Sequence, residues 1–140
     1  MLRAVVDTNV IYAALYSNAG ASSELLRLLA SERWKLVLSN TLYTEYEEIL
    51  TRAADKLGIT AREVDRFLDA LCSIAERYHP KGTWIPALKD PDDEAQVHLA
   101  YEAGVSYIVT HDLRHLDPAR ELGIVVLSPK DFLTIVRNQP

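Results

Sequence analysis

The sequence predicts an α/β fold, a mainly parallel sheet with helices on both faces, and three observations predict it. The first is the opening stretch: the short apolar run Ala4-Val5-Val6 ends on Asp7-Thr8-Asn9. Val10-Ile11-Tyr12-Ala13-Ala14-Leu15 follows, apolar enough for a buried helix. The second is the return of this grammar late in the chain, where Tyr107-Ile108-Val109 runs into Thr110-His111-Asp112. The third is an alternation read as strand–helix–helix–strand–helix–helix–strand–helix–strand–helix, the pattern of a crossover-connected parallel sheet. A buried strand that stops on an acid places that acid at the carboxyl edge of the sheet, where open α/β folds keep their ligands. An aspartate there can also merely cap the next helix. One such unit would carry little; two, with the acids below, point to a site.

The elements follow in order. The first strand and its helix take residues 2 to about 16, and Ser17-Asn18-Ala19-Gly20 is a turn. A second helix near Ala21–Glu32 has Leu25, Leu26, Leu28 and Leu29 on a broad apolar face, with Ser22 or Ser23 as cap. Trp34–Leu38 is a short strand, and Ser39-Asn40 breaks it and offers the next cap. The third helix, near Thr41–Leu57, carries the most informative acid. Measured from Leu42 at about 100° per residue, Ile49 lies near −20°, Tyr46 near +40° and Glu45 near −60°. Glu45 therefore shares the apolar stripe, while Glu47 and Glu48 point away. A glutamate that faces inward must be paired, protonated or bound to a cation; the bland reading is a boundary residue reaching out to water.

Gly58 ends that helix, and Thr60-Ala61-Arg62-Glu63 is a capping box for a long fourth helix. Its stripe Val64, Phe67, Leu68, Leu71, Ala75, Tyr78 keeps helical period and is structural. Trp84–Leu88 is extended, with Pro86 arguing against a central strand. Asp90-Pro91-Asp92-Asp93-Glu94 then opens a helix over Asp93–Ala103. Most acids there suit a solvated helix N-terminus. Asp93 differs, because Val97 and Ala100 continue its stripe toward the sheet; Glu94, offset by about 100°, is the second candidate. The strand Ser106–Thr110 leads to Asp112, flanked by His111 and His115, which read as surface or substrate-facing rather than ligands. Ile124–Leu127 is the last strand, and Ser128-Pro129-Lys130-Asp131 starts the final helix with a cap, a favoured proline and a first-turn acid.

At 140 residues the chain reads as one domain spanning 1–140, long enough to bury a core. Its 49% hydrophobic and 25% charged residues are ordinary for a soluble protein, and no apolar run nears the ~18 residues that span a bilayer. The single Cys72 excludes an internal disulfide and a cysteine-rich zinc site. With no leader ahead of the first strand, the expectation is a cytoplasmic protein. The net charge of −5 looks wrong for a nucleic-acid binder. Yet Asp7, Glu45, Asp93, Glu94 and Asp112 alone account for it, leaving 15 acids against 15 bases. A phosphodiester substrate is neither supported nor excluded by charge.

Asp7 and Asp112 at strand ends, with Glu45 and Asp93 near helix starts, would converge on one cleft. Such carboxylates repel one another unless a cation joins them. Oxygen-only ligation selects hard ions, Mg²⁺ or Mn²⁺, over zinc. In two-metal sites, ions ~3.5–4 Å apart activate a water and stabilise a leaving phosphate oxygen. Thr8, Asn9 and Thr110 can orient the carboxylates or waters.

The set Val6-Asp7-Thr8-Asn9, Ser39 to Glu45-Tyr46, Asp90-Pro91-Asp92-Asp93, Val109-Thr110-His111-Asp112 and Ser128-Pro129-Lys130-Asp131-Phe132 resembles the PIN-domain family. Within it, the sequence is similar to toxin components of toxin–antitoxin systems, over its full length. The resemblance implies a three-layer α/β/α fold and a Mg²⁺/Mn²⁺-dependent ribonuclease that hydrolyses RNA with metal-activated water. It implies Asp7, Glu45, Asp93 and Asp112 as metal-binding acids. It also implies an antitoxin partner and a homodimer, for which Tyr12, Tyr16 and the leucine-rich second helix offer a surface. Two departures stand out. Many PIN domains carry a further acid just after the last aspartate, where this chain has Arg114 and His115, with Asp117 further on; this bears on whether one or two ions bind. Glu94 beside Asp93 leaves the helix register to decide which faces inward. Two rivals differ in class: an aspartate-based phosphatase or phosphotransferase, which Asn9 disfavours where a second Asp is expected, and a non-catalytic cation- or partner-binding module.

Overall fold

The structure, a computed structural model, describes residues 1–82, 85, 95–114 and 117–140, with the side chain of Asp117 left aside. Five strands form the sheet: β1 (Arg3–Val6), β2 (Lys35–Leu38), β3 (Glu76–Arg77), β4 (Tyr107–Val109) and β5 (Val125–Leu127). Their order is β3-β2-β1-β4-β5 and every pairing is parallel. The chain thus builds outward from β1 in one direction through β2 and β3, then restarts on its other side with β4 and β5. That reversal makes the β1–β4 boundary the switch point of the sheet, where the carboxyl ends of neighbouring strands open a crevice.

Helices flank the sheet in the expected three-layer α/β/α arrangement. One group is α1 (Thr8–Tyr16), α2 (Ala21–Ala30) and α8 (Pro129–Arg137); a second is α3 (Asn40–Arg52), α5 (Ala61–Ile74) and α6 (Ala95–Ala103). Two short helices, α4 (Ala54–Leu57) and α7 (Asp117–Glu121), complete the set among the described residues. The strands β1, β2 and β4 are buried because side chains on both faces meet helices, which is why they read as continuous apolar runs. Trp34 sits at the centre of one layer, its indole N–H donating to the Leu25 carbonyl at 2.8 Å. Its ring meets Phe132 edge to face, at 5.3 Å and 86°.

Several local signals took the form their chemistry dictates. Ser39 accepts from the Leu42 amide, Thr60 and Glu63 complete a reciprocal capping box, and Ser128 accepts from the Asp131 amide. Gly58 closes α4 in the left-handed region at φ 70°, where a side chain would be strained.

Four expectations need correction. Neither Ser22 nor Ser23 caps α2, whose N-cap is Gly20. Both serines lie buried inside the helix, and the Ser23 hydroxyl donates to the carbonyls of Ala14 and Ser17, tying α2 to the end of α1. The long third helix breaks at Ala53 into α3 and α4. The fourth helix stops at Ile74, because Ala75 turns extended (φ −77°, ψ 151°) and Glu76–Arg77 joins the sheet beside β2. Ala75 and Tyr78 fall at helical spacing from Leu71 but reach the core from extended backbone. Finally, α7 was not foreseen. The extended reading of Trp84–Leu88 lies outside the described residues except for Ile85, which is buried.

Arg3 joins the sheet laterally: its guanidinium donates to the Glu76 carboxylate (Nε to Oε1, 3.1 Å) and to the Ala103 carbonyl at 3.0 Å. Those hydrogen bonds hold the Glu76 carboxyl below the ordinary glutamate value of 4.5. A lowered folded-state pKa gives stability that is present above pH 4.5 and lost as pH falls through the folded value. Glu76→Gln is therefore expected to lower stability at neutral pH by under about 1 kcal/mol, the pair being partly solvated. Urea denaturation should show the gap between variant and wild type closing in acid.

Candidate active site

The register of β1 and β4 builds the site. Val6 pairs with Val109, and the Asp7 amide donates to the Val109 carbonyl at 2.9 Å, so the two strands end side by side. One residue further on, the Thr110 amide donates to the Leu127 carbonyl of β5 at 2.9 Å, which fixes the turn toward Asp112. Asp7 occupies the N-cap position of α1, yet its side chain makes no capping hydrogen bond. It turns to the β4 side instead. The Thr110 hydroxyl donates to Asp7 Oδ2 at 2.8 Å, and Asn9 Nδ2 approaches the same oxygen at 3.4 Å. Both contacts fall on Oδ2, leaving the other oxygen without a hydrogen bond among the described residues.

Thr110, fully buried, is the hinge of this arrangement. Its oxygen accepts from the Asp112 amide at 3.0 Å and from Asn9 Nδ2 at 3.3 Å while its proton goes to Asp7. Asn9 closes the circuit, its Oδ1 accepting from the His111 amide at 3.2 Å. Asp112 is half-buried, and its Oδ1 accepts from the Arg114 amide at 3.3 Å. Two acids at separate strand ends are thus set by one threonine and one asparagine.

Glu45 enters from α3. Tyr46, fully buried, donates its hydroxyl to the Val6 carbonyl, pinning α3 to the end of β1. The stripe of α3 is Leu42, Tyr46 and Leu50; Glu45 lies on its rim, and the residue as a whole is exposed rather than inward. Its carboxyl nonetheless belongs to the Asp7 neighbourhood. Its pKa is raised, first by desolvation at the carboxyl end and next by the charge of Asp7. Thr8 opposes that rise slightly. The Thr8 hydroxyl is itself buried and faces the Glu45 carboxyl.

Asp93 and Glu94 lie outside the described residues, as does His115, so the choice between the two acids is not decided. His111 is exposed, and its Nε2 lies 3.4 Å from the Ser22 hydroxyl. Among the described residues, no three His, Cys, Asp or Glu side chains come close enough to form a complete metal cluster. What is present fits a hard cation in chemistry: carboxylate and hydroxyl oxygens alone, with repulsion between Asp7 and Glu45. The one participant that sequence reasoning missed is the Tyr46 hydroxyl, whose signal was a tyrosine in a helix position otherwise taken by leucine.

A sequence model of the PIN domain matches residues 3–114, most of the chain. The chain belongs to the PIN-domain family. PIN domains are generally nucleases and generally use divalent metals. Among solved structures, VapBC2 from Rickettsia felis, crystallised bound to a DNA fragment from their promoter, is similar at TM-score 0.61 and 14% identity. That match covers 91% of this chain and 98% of the other. A PilT N-terminus domain protein from the hyperthermophilic archaeon Sulfolobus solfataricus P2 matches at TM-score 0.52 and 14% identity, over 99% and 97%. At such identity these likenesses speak for the fold. No curated protein matches the sequence. In this PIN domain no described helix is long and apolar enough to cross a membrane.

Two outcomes follow from the geometry. Thr110→Val removes the oxygen that orients Asp7 and anchors the Asp112 amide, and should weaken Mn²⁺ binding about 10- to 100-fold by calorimetry. Unchanged affinity would mean the hinge has no part in the site. A raised Glu45 pKa means the native state holds that proton more tightly than the unfolded chain. Glu45→Gln should therefore raise the melting temperature of the metal-free protein slightly near neutral pH, the gain disappearing below pH 4.5.

Proposed function

We propose that this chain is a single-domain, Mg²⁺- or Mn²⁺-dependent endoribonuclease, acting in the cytoplasm as the toxin of a toxin–antitoxin pair. The observation that carries the reading is Asp7: a helix N-cap that gives up its capping bond and is held by Thr110 toward the switch point. Asp7, Glu45 and Asp112 do not close into a three-acid cluster by themselves; they would hold the ion together with Asp93 or Glu94. A bound divalent cation would acidify a water and neutralise charge on the phosphodiester.

The chain's own residues supply the rest. Thr110 and Asn9 fix one oxygen of Asp7, so its carboxylate cannot rotate back to cap α1. Tyr46 holds α3 against β1, which keeps Glu45 within electrostatic reach of Asp7. Without a cation the acids repel a phosphate, so substrate binding next to them is contingent on the ion. None of the described groups bonded to Asp7 is a histidine, cysteine or lysine, which disfavours a protein nucleophile and favours hydrolysis by water.

Membership of the PIN family supports the nuclease part of this reading, and the two-component VapBC2 assembly supports a protein antagonist. An antitoxin would block the site most simply by offering a basic side chain to the carboxylates. For a homodimer, α2 has little to give, since Leu25 and Leu29 are buried and Leu26 and Leu28 pack against the core. Asp7→Asn should reduce Mn²⁺-dependent cleavage of purified RNA to background while circular dichroism stays unchanged. Cleavage at the wild-type rate would end the proposal.

A further inference from the structure

Beside the acids lies a cleft of about 340 Å³ that the hydrolysis does not use. Its size is within the range of roughly 300–1,000 Å³ typical of small-molecule sites. Its lining includes Tyr12 and Tyr16 of α1, Ser22, His111, and Lys130 at the start of α8. The two tyrosine rings stack at 5.9 Å and 18°, and Tyr16 is 66% exposed. A large ring held in register by a second ring, with its outer area in water, is a ready stacking platform.

Charge narrows the occupant. Among the described residues none lining the cleft is acidic, and Lys130, which lines it, is exposed. One lining residue ties the cleft to the acid site: the His111 amide is held by Asn9, the residue that also contacts Asp7. A cation-neutralised acid cluster next to an aromatic wall with a lysine beyond it forms a track for a phosphate backbone whose base turns aside onto the ring.

We propose that this cleft receives one unpaired base of the RNA substrate, stacked on Tyr16, with Lys130 meeting the phosphate attached to it. The proposal rests on the nuclease reading above. Every base has a π-face, so the contact adds affinity with little sequence preference. Ser17, Ser22, Ser128 and His111 line the cleft with groups that can hydrogen-bond a base edge.

The test is a nuclear magnetic resonance titration of the protein in excess Mg²⁺ with AMP, CMP and ribose 5-phosphate, following the Tyr12, Tyr16 and His111 ring signals. Both nucleotides should shift these signals saturably, and ribose 5-phosphate should bind about tenfold more weakly. Tyr16→Ala should lose roughly tenfold in nucleotide affinity, and Tyr16→Trp should restore it. Equal binding of ribose 5-phosphate and AMP would overturn the base site in favour of a plain anion site. So would full affinity in Tyr16→Ala, or no response at the cleft, the result expected of a groove for an apolar peptide. Because none of these ligands contains a phosphodiester bond, no cleavage enters this measurement and it separates from the Asp7→Asn assay. RNA cleavage with a silent cleft would sink this inference alone, and nucleotide binding without cleavage would sink the nuclease reading alone.

Discussion

The hydrogen bond from the Thr110 hydroxyl to Asp7 depends on a register, and the register depends on burial. Parallel strands slipped by one residue would swap side chains between two faces that are each packed against helices, and so mispack both. Val5, Val6, Ile108 and Val109 are all buried, so that slip is costly and the pairing of Val6 with Val109 is firmly set. The next residue on each strand then has no choice of neighbour. Asp7 and Thr110 meet because the hydrophobic core has aligned the strands that carry them.

The site works against stability in a way the core tolerates. Asp7 forgoes a capping bond, and Glu45 sits where desolvation and then the charge of Asp7 raise its proton affinity. Each is unfavourable by itself, and a cation held between the acids would offset their repulsion. They cluster at the switch point, while the caps at Ser39, Thr60 and Ser128 are all satisfied. Local rules are obeyed in the scaffold and broken at the crevice, the distribution expected of a functional site.

Much of this was legible in the residue order. The strands at Ala4–Val6, Leu36–Leu38 and Tyr107–Val109 announce themselves as apolar runs because both faces are buried, and three of the helix caps have their own chemistry. The edge strand Glu76–Arg77 was not legible, since a two-residue, charged, half-solvated strand has no hydrophobic signature and its neighbours kept helical spacing. Glu45 was read as inward from helical angle alone. The structure places it on the rim because Tyr46, bonded to the Val6 carbonyl, takes the buried position beside it. The roles of Thr110 and Asn9 come from contacts across about a hundred residues of sequence, which periodicity cannot reveal. Asp93 and Glu94 fall outside the described residues, so their reading stays that of the sequence.

The central claim is that acids from β1, α3 and β4 share a single oxygen-lined crevice for a hard cation. A crystal grown with Mn²⁺ and measured at the manganese absorption edge tests it most directly. The account predicts an anomalous peak within coordination distance of Asp7 and Asp112, beside the Thr8 hydroxyl. A peak elsewhere on the protein, or Asp7 and Asp112 opening onto separate surfaces, would contradict it.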